Sequence, residues 1–415
     1  MGGKSYLFIG GIFPESYKDE IINNSKTNIQ YAANNFQLAL IEGLSHHLGA
    51  KLDLINLPFV GSYPMHYKKI KIPKFTFRLN GLDNNLNVNF LNIWGYKNVS
   101  RYLNLKKNLS KWCEKNVESE KIIFIYSVHN PFLKAAVSLK IKYNLKICLI
   151  APDLPEYMNL GKKKNAIFNY LKLVDMKKID ENIQFIDYFV VLTEFMMNKL
   201  VKKKKPYIVV EGIIDQNLFE KISASDLLEK KSKSKKIMLY TGTLDRKYGI
   251  LKLVQLFNEI EEKNLQLIIY GEGDSKKEIQ HICEKDNRIK FKGLVSREEI
   301  LYQQSIADVL INPRSSKEEY TKYSFPSKNI EYMASGTPTL TAELKGMPKE
   351  YLEYVYLINE ETNEAMKKSI TDALNKEKKH LVSDGLIAKQ FILENKNSIV
   401  QAKKILSLVN GDVDF

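Results

Sequence analysis

Long apolar runs are missing from this 415-residue sequence. None approaches the roughly 20 residues that a membrane-spanning helix requires. The amino end, Met1-Gly2-Gly3-Lys4 followed by the short run Tyr6–Ile9, lacks the longer apolar segment and cleavage site of a secretory leader. A cytoplasmic chain is therefore expected. Cysteine is scarce: Cys113, Cys148 and Cys283 lie far apart and form no C-x-x-C pair. They offer no disulfide framework, and they read as small buried hydrophobes. Nucleic-acid signals are absent too, with no zinc-finger spacing, no aromatic RNA-binding motif and no helix-turn-helix. Nucleic acid is thus discounted as a partner in spite of a formal net charge of +15. No D-x-D cluster stands in a metal-binding context, and no metal site is expected.

What is present is a globular profile, with 44% hydrophobic and 27% charged residues over a length that suggests two domains. The basic residues cluster at Lys162-Lys163-Lys164, Lys177-Lys178 and Lys202–Lys205. A solvated face is the plain reading. An anionic membrane surface is the sharper one, since each basic group near such a surface contributes about 1 kcal/mol.

Short apolar runs alternate with amphipathic stretches along the whole chain. Tyr6–Ile9, ending in Gly10-Gly11, reads as a buried strand and tight loop. Ala33, Phe36, Leu40 and Leu44 recur at helical spacing. Leu52–Leu57, Lys121–Tyr126, Ile147–Ile150, Tyr188–Leu192 and Ile208–Val210 follow as strands, whereas 61–98 carries no clear period. After a Lys/Ser-rich stretch at Leu228–Lys236 the alternation restarts. Its strands are Ile237–Tyr240, Leu265–Tyr270, Ile289–Phe291, Val309–Ile311, Thr339–Leu340 and Tyr354–Ile358. Strands separated by helices imply parallel sheets with crossover connections. The architecture expected is α/β, two doubly wound Rossmann-like lobes, with ligands at the carboxyl ends of the strands. The boundaries expected are 1–216 for the first lobe and 217–394 for the second. A terminal helix, 395–415, is expected to pack back on the first lobe through Ile399, Ala402, Ile405 and Leu408.

The most informative segment is Tyr323-Ser324-Phe325-Pro326-Ser327-Lys328-Asn329-Ile330-Glu331-Tyr332-Met333-Ala334-Ser335-Gly336-Thr337-Pro338. Pro326 suits the first turn of a helix, where its missing N–H costs nothing. Ser327 and the free backbone donors of that turn then meet whatever lies at the positive end of the dipole, and Lys328 adds a full charge. Together these make a phosphate site. Glu331, one turn later, can accept from two vicinal ribose hydroxyls. Pro-Ser-Lys taken alone is equally an ordinary helix start.

The segment resembles the signature region of glycosyltransferase family 4, GT-B fold, in the branch that builds capsule and O-antigen polysaccharides. Other matches stand in the family's order. Asp153-Leu154-Pro155-Glu156 resembles its "D-x-P-E" neighbourhood, and Asp187-Tyr188-Phe189-Val190-Val191-Leu192-Thr193 its acidic-start strand. Glu211-Gly212-Ile213-Ile214-Asp215 with Phe219 resembles the end of its first lobe. Tyr240-Thr241-Gly242-Thr243-Leu244, Tyr270-Gly271-Glu272-Gly273 and Phe291-Lys292-Gly293 resemble the strand-to-helix junctions of its donor lobe. The likeness runs from about Lys121 to Glu360.

The resemblance implies a retaining transferase without an essential metal or cofactor, building a bacterial surface glycan. It moves a hexosyl or N-acetylhexosaminyl group from a nucleotide-diphosphate sugar, UDP favoured over GDP, to a glycan or polyprenyl-linked acceptor. The two lobes would face a central cleft, and the protein would sit on the inner face of the plasma membrane if it meets lipid. By position, Glu331 holds the ribose, Ser327 and Lys328 meet the diphosphate, and Tyr323, Ser324 and Pro326 line the same site. Gly242, Thr243 and Gly271 fall in phosphate-facing loops, with Arg246 or Lys247 supplying a cation, and Gly293 to Val295 meets the base. In the first lobe Gly10 and Gly11 match a glycine loop, Asp153 lies at the cleft, and His129 matches a histidine beside the reacting sugar. His129, Lys328 and Arg246 are thus the catalytic candidates, although a lone histidine at a strand end is more often structural.

Departures from the family pattern concern the donor sugar. The family's glutamate eight positions before Glu331 is Tyr323 here. Its phosphate-loop arginine is Thr243, and its following lysine is Tyr248. These changes keep a second class open, a non-catalytic partner of GT-B fold. A nucleotide-sugar 2-epimerase is a third, though such enzymes carry more acidic and histidine residues than can be placed here.

Overall fold

The central strands of this chain are short apolar runs, and burying them on both faces requires helices above and below. A computed structural model describes residues 3–27, 29–154, 156, 166–220 and 235–412. Pro155, Lys162–Lys164 and most of the Lys/Ser-rich stretch, through Ser234, lie outside the described residues. The chain divides into two units, Met1–Ile213 with Ser398–Phe415, and Ile214–Asn397. The passage between units falls at Ile213/Ile214 and Asn397/Ser398 rather than at 216/217 and 394/395. The reason is a backbone pairing inside the second unit, where Ile214 N–H donates to the Lys396 carbonyl at 2.9 Å.

In the first unit the strands are β1 (Lys4–Gly10), β2 (Leu52–Asn56), β3 (Lys71–Ile72), β4 (Phe75–Leu79), β5 (Leu82–Asn87), β6 (Phe90–Leu91), β7 (Glu120–Tyr126), β8 (Leu145–Ala151), β9 (Tyr188–Val191) and β10 (Tyr207–Val209). Eight of them form one sheet in the order β10-β9-β8-β7-β1-β2-β5-β4. It is parallel except for the β4–β5 hairpin. β3 and β6 pair separately and antiparallel. The order reverses between β1 and β7, which places the topological switch point beside Gly10 and Tyr126. β1, β7 and β8 are buried almost throughout, as their unbroken apolar runs require.

The stretch 61–98 had no clear period because its strands are short and half exposed. The hairpin signal within it is Asn80-Gly81, both at positive φ (49° and 75°), between β4 and β5. The terminal helix, expected from 395, begins at Ser398 and ends at Asn410. It crosses the helix Tyr31–Leu48 at Gly43, where a Cβ would stand 2.0 Å from the Ser398 carbonyl oxygen. Ala402, Ile405 and Leu408 are buried, but Ile399 remains 40% exposed, because positions three apart drift round a helix of about 3.6 residues per turn and carry Ile399 to another side.

The second unit repeats the design in its simplest form. β11 (Lys236–Thr241), β12 (Leu265–Tyr270), β13 (Ile289–Gly293), β14 (Val309–Asn312), β15 (Thr339–Thr341) and β16 (Tyr356–Leu357) form a sheet in the order β13-β12-β11-β14-β15-β16. All pairings are parallel. The run Tyr354–Ile358 yields only the two-residue β16, because Lys349–Tyr354 winds as a 3-10 turn. The switch point lies between β11 and β14. The same device trims both sheets at the end away from the ligand edge. Asp187 accepts from the Ile147 N–H at 2.8 Å, and Asp308 from the Ile237 N–H at 2.7 Å. The aspartate that opens the family-like strand Asp187–Thr193 is therefore a sheet-end residue, further held by Lys140.

Candidate functional site

The carboxyl edge of the second sheet is built by glycines that let loops touch. A Cβ on Gly271 would lie 1.7 Å from the Gly242 carbonyl oxygen, one on Gly273 2.6 Å from the backbone of Leu244, and one on Gly249 2.1 Å from the Pro313 carbonyl oxygen. Gly242 (φ 153°), Gly271 (φ 140°) and Gly249 (φ 79°) also take backbone angles that other residues avoid. Gly242 N–H donates to the Tyr270 carbonyl and Gly271 N–H to that of Gly293, both at 2.9 Å. The loops after β11, β12 and β13 are thereby stitched into one rim.

The helix Ser327–Ala334 abuts that rim. Pro326 is its N-cap residue rather than a member of the first turn, and no side chain caps the start. Buried polar contacts hold it rigidly. Asn312 donates to Asn329 at 2.7 Å, linking the end of β14 to the helix. The Tyr332 hydroxyl accepts from Thr241 N–H and donates to the Thr241 carbonyl, both at 2.9 Å, linking it to the end of β11. So clamped, the first turn presents Lys328 across Gly242. The lysine Cε lies 2.6 Å from where a Gly242 Cβ would be, so the missing side chain is the room that the lysine occupies.

Electrostatics favour an anion here. Burial pulls the Lys328 ammonium below its ordinary value; Glu331 works against that, and Arg297 and Arg314 add to it. Three cations therefore share one carboxylate. Glu331 is itself restrained: Gln304 donates to its Oε1 at 2.7 Å, and Arg297 stands 3.9 Å from its Oε2. Gln304 also donates to the Thr241 hydroxyl at 3.1 Å, which fixes the carboxylate relative to β11. Gln304 and Arg297 thus belong to the site although no sequence motif pointed to them.

Arg314 is the larger omission. It follows β14 at Asn312-Pro313, with its guanidinium 4.6 Å over the Tyr248 ring and 5.8 Å over that of Tyr320. Its Nε is buried without a hydrogen-bond partner. Arg246 and Lys247 do not join this group. Arg246 pairs with Glu278 on the exposed surface. Lys247 faces Asp245 at 3.8 Å and lies 4.9 Å over Tyr248. Lys247 and Arg314 thus both stand over the Tyr248 ring. The signal was available as the Pro-Arg pair ending an apolar strand, but sequence spacing alone does not show that β14 neighbours β11.

Other expected residues fall around this rim. Thr243 supplies the carbonyl that accepts from the Tyr240 hydroxyl at 2.7 Å. Gly293 (φ 71°) ends β13 and exposes Leu294 (72%) and Val295 (40%) as an apolar step. Ser327 is exposed; Tyr323 and Ser324 are half-buried, and the Ser324 hydroxyl donates to the Tyr320 carbonyl at 3.2 Å.

Gly10, Gly11, His129 and Asp153 lie in the first unit. The space beside Gly10 is filled by Gln37 Oε1 and the Phe8 ring, and that beside Gly11 by the Phe59 ring. Gly11 N–H donates to Gln37 at 2.8 Å. Internal packing thus accounts for both glycines of the expected loop. Asp153, after β8, is solvent-accessible, yet the surrounding protein raises its carboxyl to about 6. His129 caps the helix Asn130–Tyr143 and sits among Phe59 and Phe132, with Arg101 Nη1 3.1 Å from its Nε2. Since a guanidinium only donates, Nε2 accepts and the ring proton is on Nδ1. Burial, with Arg101 and Lys97 adding to it, holds the imidazole well below its usual pKa, so it is neutral. The catalytic candidates are thus divided between units, with His129 in the first and Lys328 and Arg246 in the second.

Two doubly wound parallel sheets, one carrying a cationic helix start at its switch-point edge, define a GT-B fold. Residues 226–385, within the second unit, match the family model described as glycosyl transferases group 1. Solved structures agree across nearly the whole chain. Sucrose-phosphate synthase from Thermosynechococcus elongatus superposes with a TM-score of 0.63 at 15% identity, covering 99% of this chain and 100% of that one. HepE from Anabaena, in complex with UDP, gives 0.62 at 12% identity over 98% and 100%. The lipopolysaccharide outer core galactosyltransferase WaaB gives 0.60 at 13% over 99% and 100%. No curated protein matches by sequence. Among the described residues no group of acidic, histidine and cysteine side chains could hold a metal, and no helix is long and apolar enough to cross a membrane.

Proposed function

We propose that the chain is a retaining glycosyltransferase that takes a sugar from a nucleotide-diphosphate donor, UDP rather than GDP, for surface polysaccharide synthesis. The observation that carries this reading is Lys328 laid across Gly242 at the start of a clamped helix, with Glu331 one turn on. A diphosphate leaving group gains negative charge as its bond to the sugar breaks. The helix start, Lys328 and Arg314 stabilise that charge without moving, which is the largest electrostatic lever available to such a site. The sugar becomes oxocarbenium-like as the bond opens. Glu331 Oε2 accepts from ribose hydroxyls while Gln304 holds Oε1, and the Leu294–Val295 step packs against the base. HepE, at 12% identity, was solved with UDP, which supports the choice of nucleotide.

The first unit would hold a glycan or polyprenyl-linked acceptor. Basic residues favour a peripheral position on an anionic membrane. Lys202, Lys203 and Lys204 are exposed, whereas Lys205 donates to the Gln184 and Ile186 carbonyls and is spent internally. Flotation with anionic vesicles at low salt tests this, and protein left at the bottom of the gradient removes it.

A panel of nucleoside diphosphates in thermal unfolding tests the main reading. UDP should stabilise, and Glu331→Ala should weaken UDP binding by about 10- to 100-fold, as expected for hydrogen bonds to a charged group. A chain that no nucleotide stabilises is not a nucleotide-sugar transferase. Tyr323, standing where the family carries glutamate, favours the second reading of a non-catalytic partner. Release of sugar from donor without acceptor would exclude that reading.

A further inference from the structure

The first unit holds a group of cations for which no counter-charge stands among the described residues. Lys97 and Arg101 are one turn apart on the helix Lys97–Lys115 and lie beside the segment that leaves β2. Lys97 Nζ donates to the Val60 carbonyl, and Arg101 Nη2 donates to the Pro58 carbonyl at 2.5 Å. Arg101 is 2% exposed, with its guanidinium 4.4 Å over the Phe90 ring, and its Nε is buried without a partner. His129 completes the group from the end of β7. Two carbonyl oxygens and an imidazole are thus the partners of a buried guanidinium and a half-buried ammonium.

Three features make this unusual for a structural cluster. Burying a charge without an opposite charge is costly, and proteins normally avoid it. Neither helix that starts here, Lys97–Lys115 or Asn130–Tyr143, has an acidic residue in its first turn, where one would be favourable. The charged neighbours acting on Lys97 and His129 are the other cations of the group, and burial alone holds Arg101 down, to about 9. Asp175, on the helix that packs against Asn130–Tyr143, is engaged by the Asn130 amide at 2.8 Å. The cations lie against the segment that leaves β2, and His129 follows β7, so the group stands by the carboxyl edge of the sheet, where ligands of doubly wound folds bind.

We propose that Lys97, Arg101 and the His129 helix start form a binding site for a phosphate group in the first unit. Two cations and a helix end match a doubly charged tetrahedral oxyanion better than a single carboxylate. Arg101 and Lys97 supply the charge, Arg101 through its unpartnered Nε edge. The Nδ1–H of His129 adds a neutral donor. The site stands independently of the nucleotide reading. Only its use, to seat the phosphate of an acceptor, rests on that reading. The phosphate could come from a soluble sugar phosphate or from a lipid-linked one.

Thermal unfolding of the full chain in inorganic phosphate, against chloride of equal ionic strength, tests the site. Phosphate should stabilise wild type, and Lys328→Ala should keep the share of that effect that Lys97→Met loses, because Lys328 belongs to the other unit. Lys97→Met should bind phosphate at least about ten-fold more weakly, while its stabilisation by UDP stays that of wild type. Its fold should survive, since it loses an unpaired charge at the first residue of a helix. Arg101→Met is the stronger but riskier variant. Stabilisation by a hexose phosphate, or flotation with vesicles carrying a polyprenyl phosphate, supports the site when lost in Lys97→Met and identifies the source. No stabilisation of wild type beyond that by chloride overturns the proposal. So does a phosphate effect that Lys97→Met keeps and Lys328→Ala abolishes. Failure of UDP to bind would leave this result standing and would count against the transferase reading instead.

Discussion

Gly242→Ala isolates the contact on which the donor site depends. The new methyl would sit 2.6 Å from Lys328 Cε and 3.3 Å from its Cδ. Ordinary contact begins near 3.4 Å, so the lysine chain must retreat by somewhat under an ångström. That movement is cheap for a flexible chain but carries the ammonium off its position, and a misplacement of about 1 Å costs up to roughly 100-fold in rate. The backbone angle of φ 153° adds strain of about 1–3 kcal/mol, a tolerable fraction of a stability of roughly 5–15 kcal/mol. Turnover of a UDP-sugar donor should therefore fall by about 10- to 100-fold, and Lys328→Ala should lose about 100-fold or more, as for removal of one preorganised donor. If the alanine acts through the lysine, the double variant is no slower than Lys328→Ala alone. Donor hydrolysis without acceptor measures this, with thermal unfolding confirming that each variant is folded. Losses that multiply in the double variant would refute the reasoning, because Gly242 would then be needed for something other than room for Lys328.

Other outcomes follow from the same geometry. Arg314→Met should slow donor turnover more than Arg246→Met, since Arg246 is neutralised by Glu278 while Arg314 acts on Lys328; equal effects on turnover would remove Arg314 from the site. Gln304→Leu should weaken UDP binding through Glu331, whereas Gln304→Glu should be worse because it sets a second carboxylate against the first; calorimetry reads both, and unchanged affinity in both variants would free Glu331 of its supposed orientation. His129 is neutral in the folded chain and titrates near 6.5 when unfolded. Its folded pKa is depressed, so its contribution to stability is complete above pH 6.5 and is lost as pH falls towards the folded value, at up to about 1.4 kcal/mol per pH unit. Unfolding followed between pH 7 and 5 should show a shallower acid loss for His129→Gln, and parallel profiles would contradict the buried neutral ring.

Most strands of both sheets were legible because a strand buried on both faces is written as an apolar run, as in β1, β7 and β11. The hairpin β4–β5 was not legible, since half-exposed edge strands carry mixed residues and only Asn80-Gly81 marks the turn. That the second unit runs on to Asn397 escaped notice for another reason. Lys396 looks like a surface residue, yet it is 1% exposed and donates to Glu350 at 2.6 Å. A long-range partner makes that position buried, and no local pattern records it.

By itself the sequence determined the two parallel α/β units and the helix start at Pro326-Ser327-Lys328, because periodicity and capping are local properties of the chain. It also determined that Lys328 and Glu331 share a helix, one turn apart. Which cations meet that helix was decided only in three dimensions, because strand order is not sequence order. β14 lies beside β11 and brings Arg314 to Tyr248, whereas Arg246, four residues from Gly242 in the chain, turns instead to Glu278. The unpaired charge of Lys97 and Arg101 is likewise a tertiary fact. Their spacing on a helix is plain in the sequence, but that no carboxylate among the described residues reaches them depends on every element packed around them.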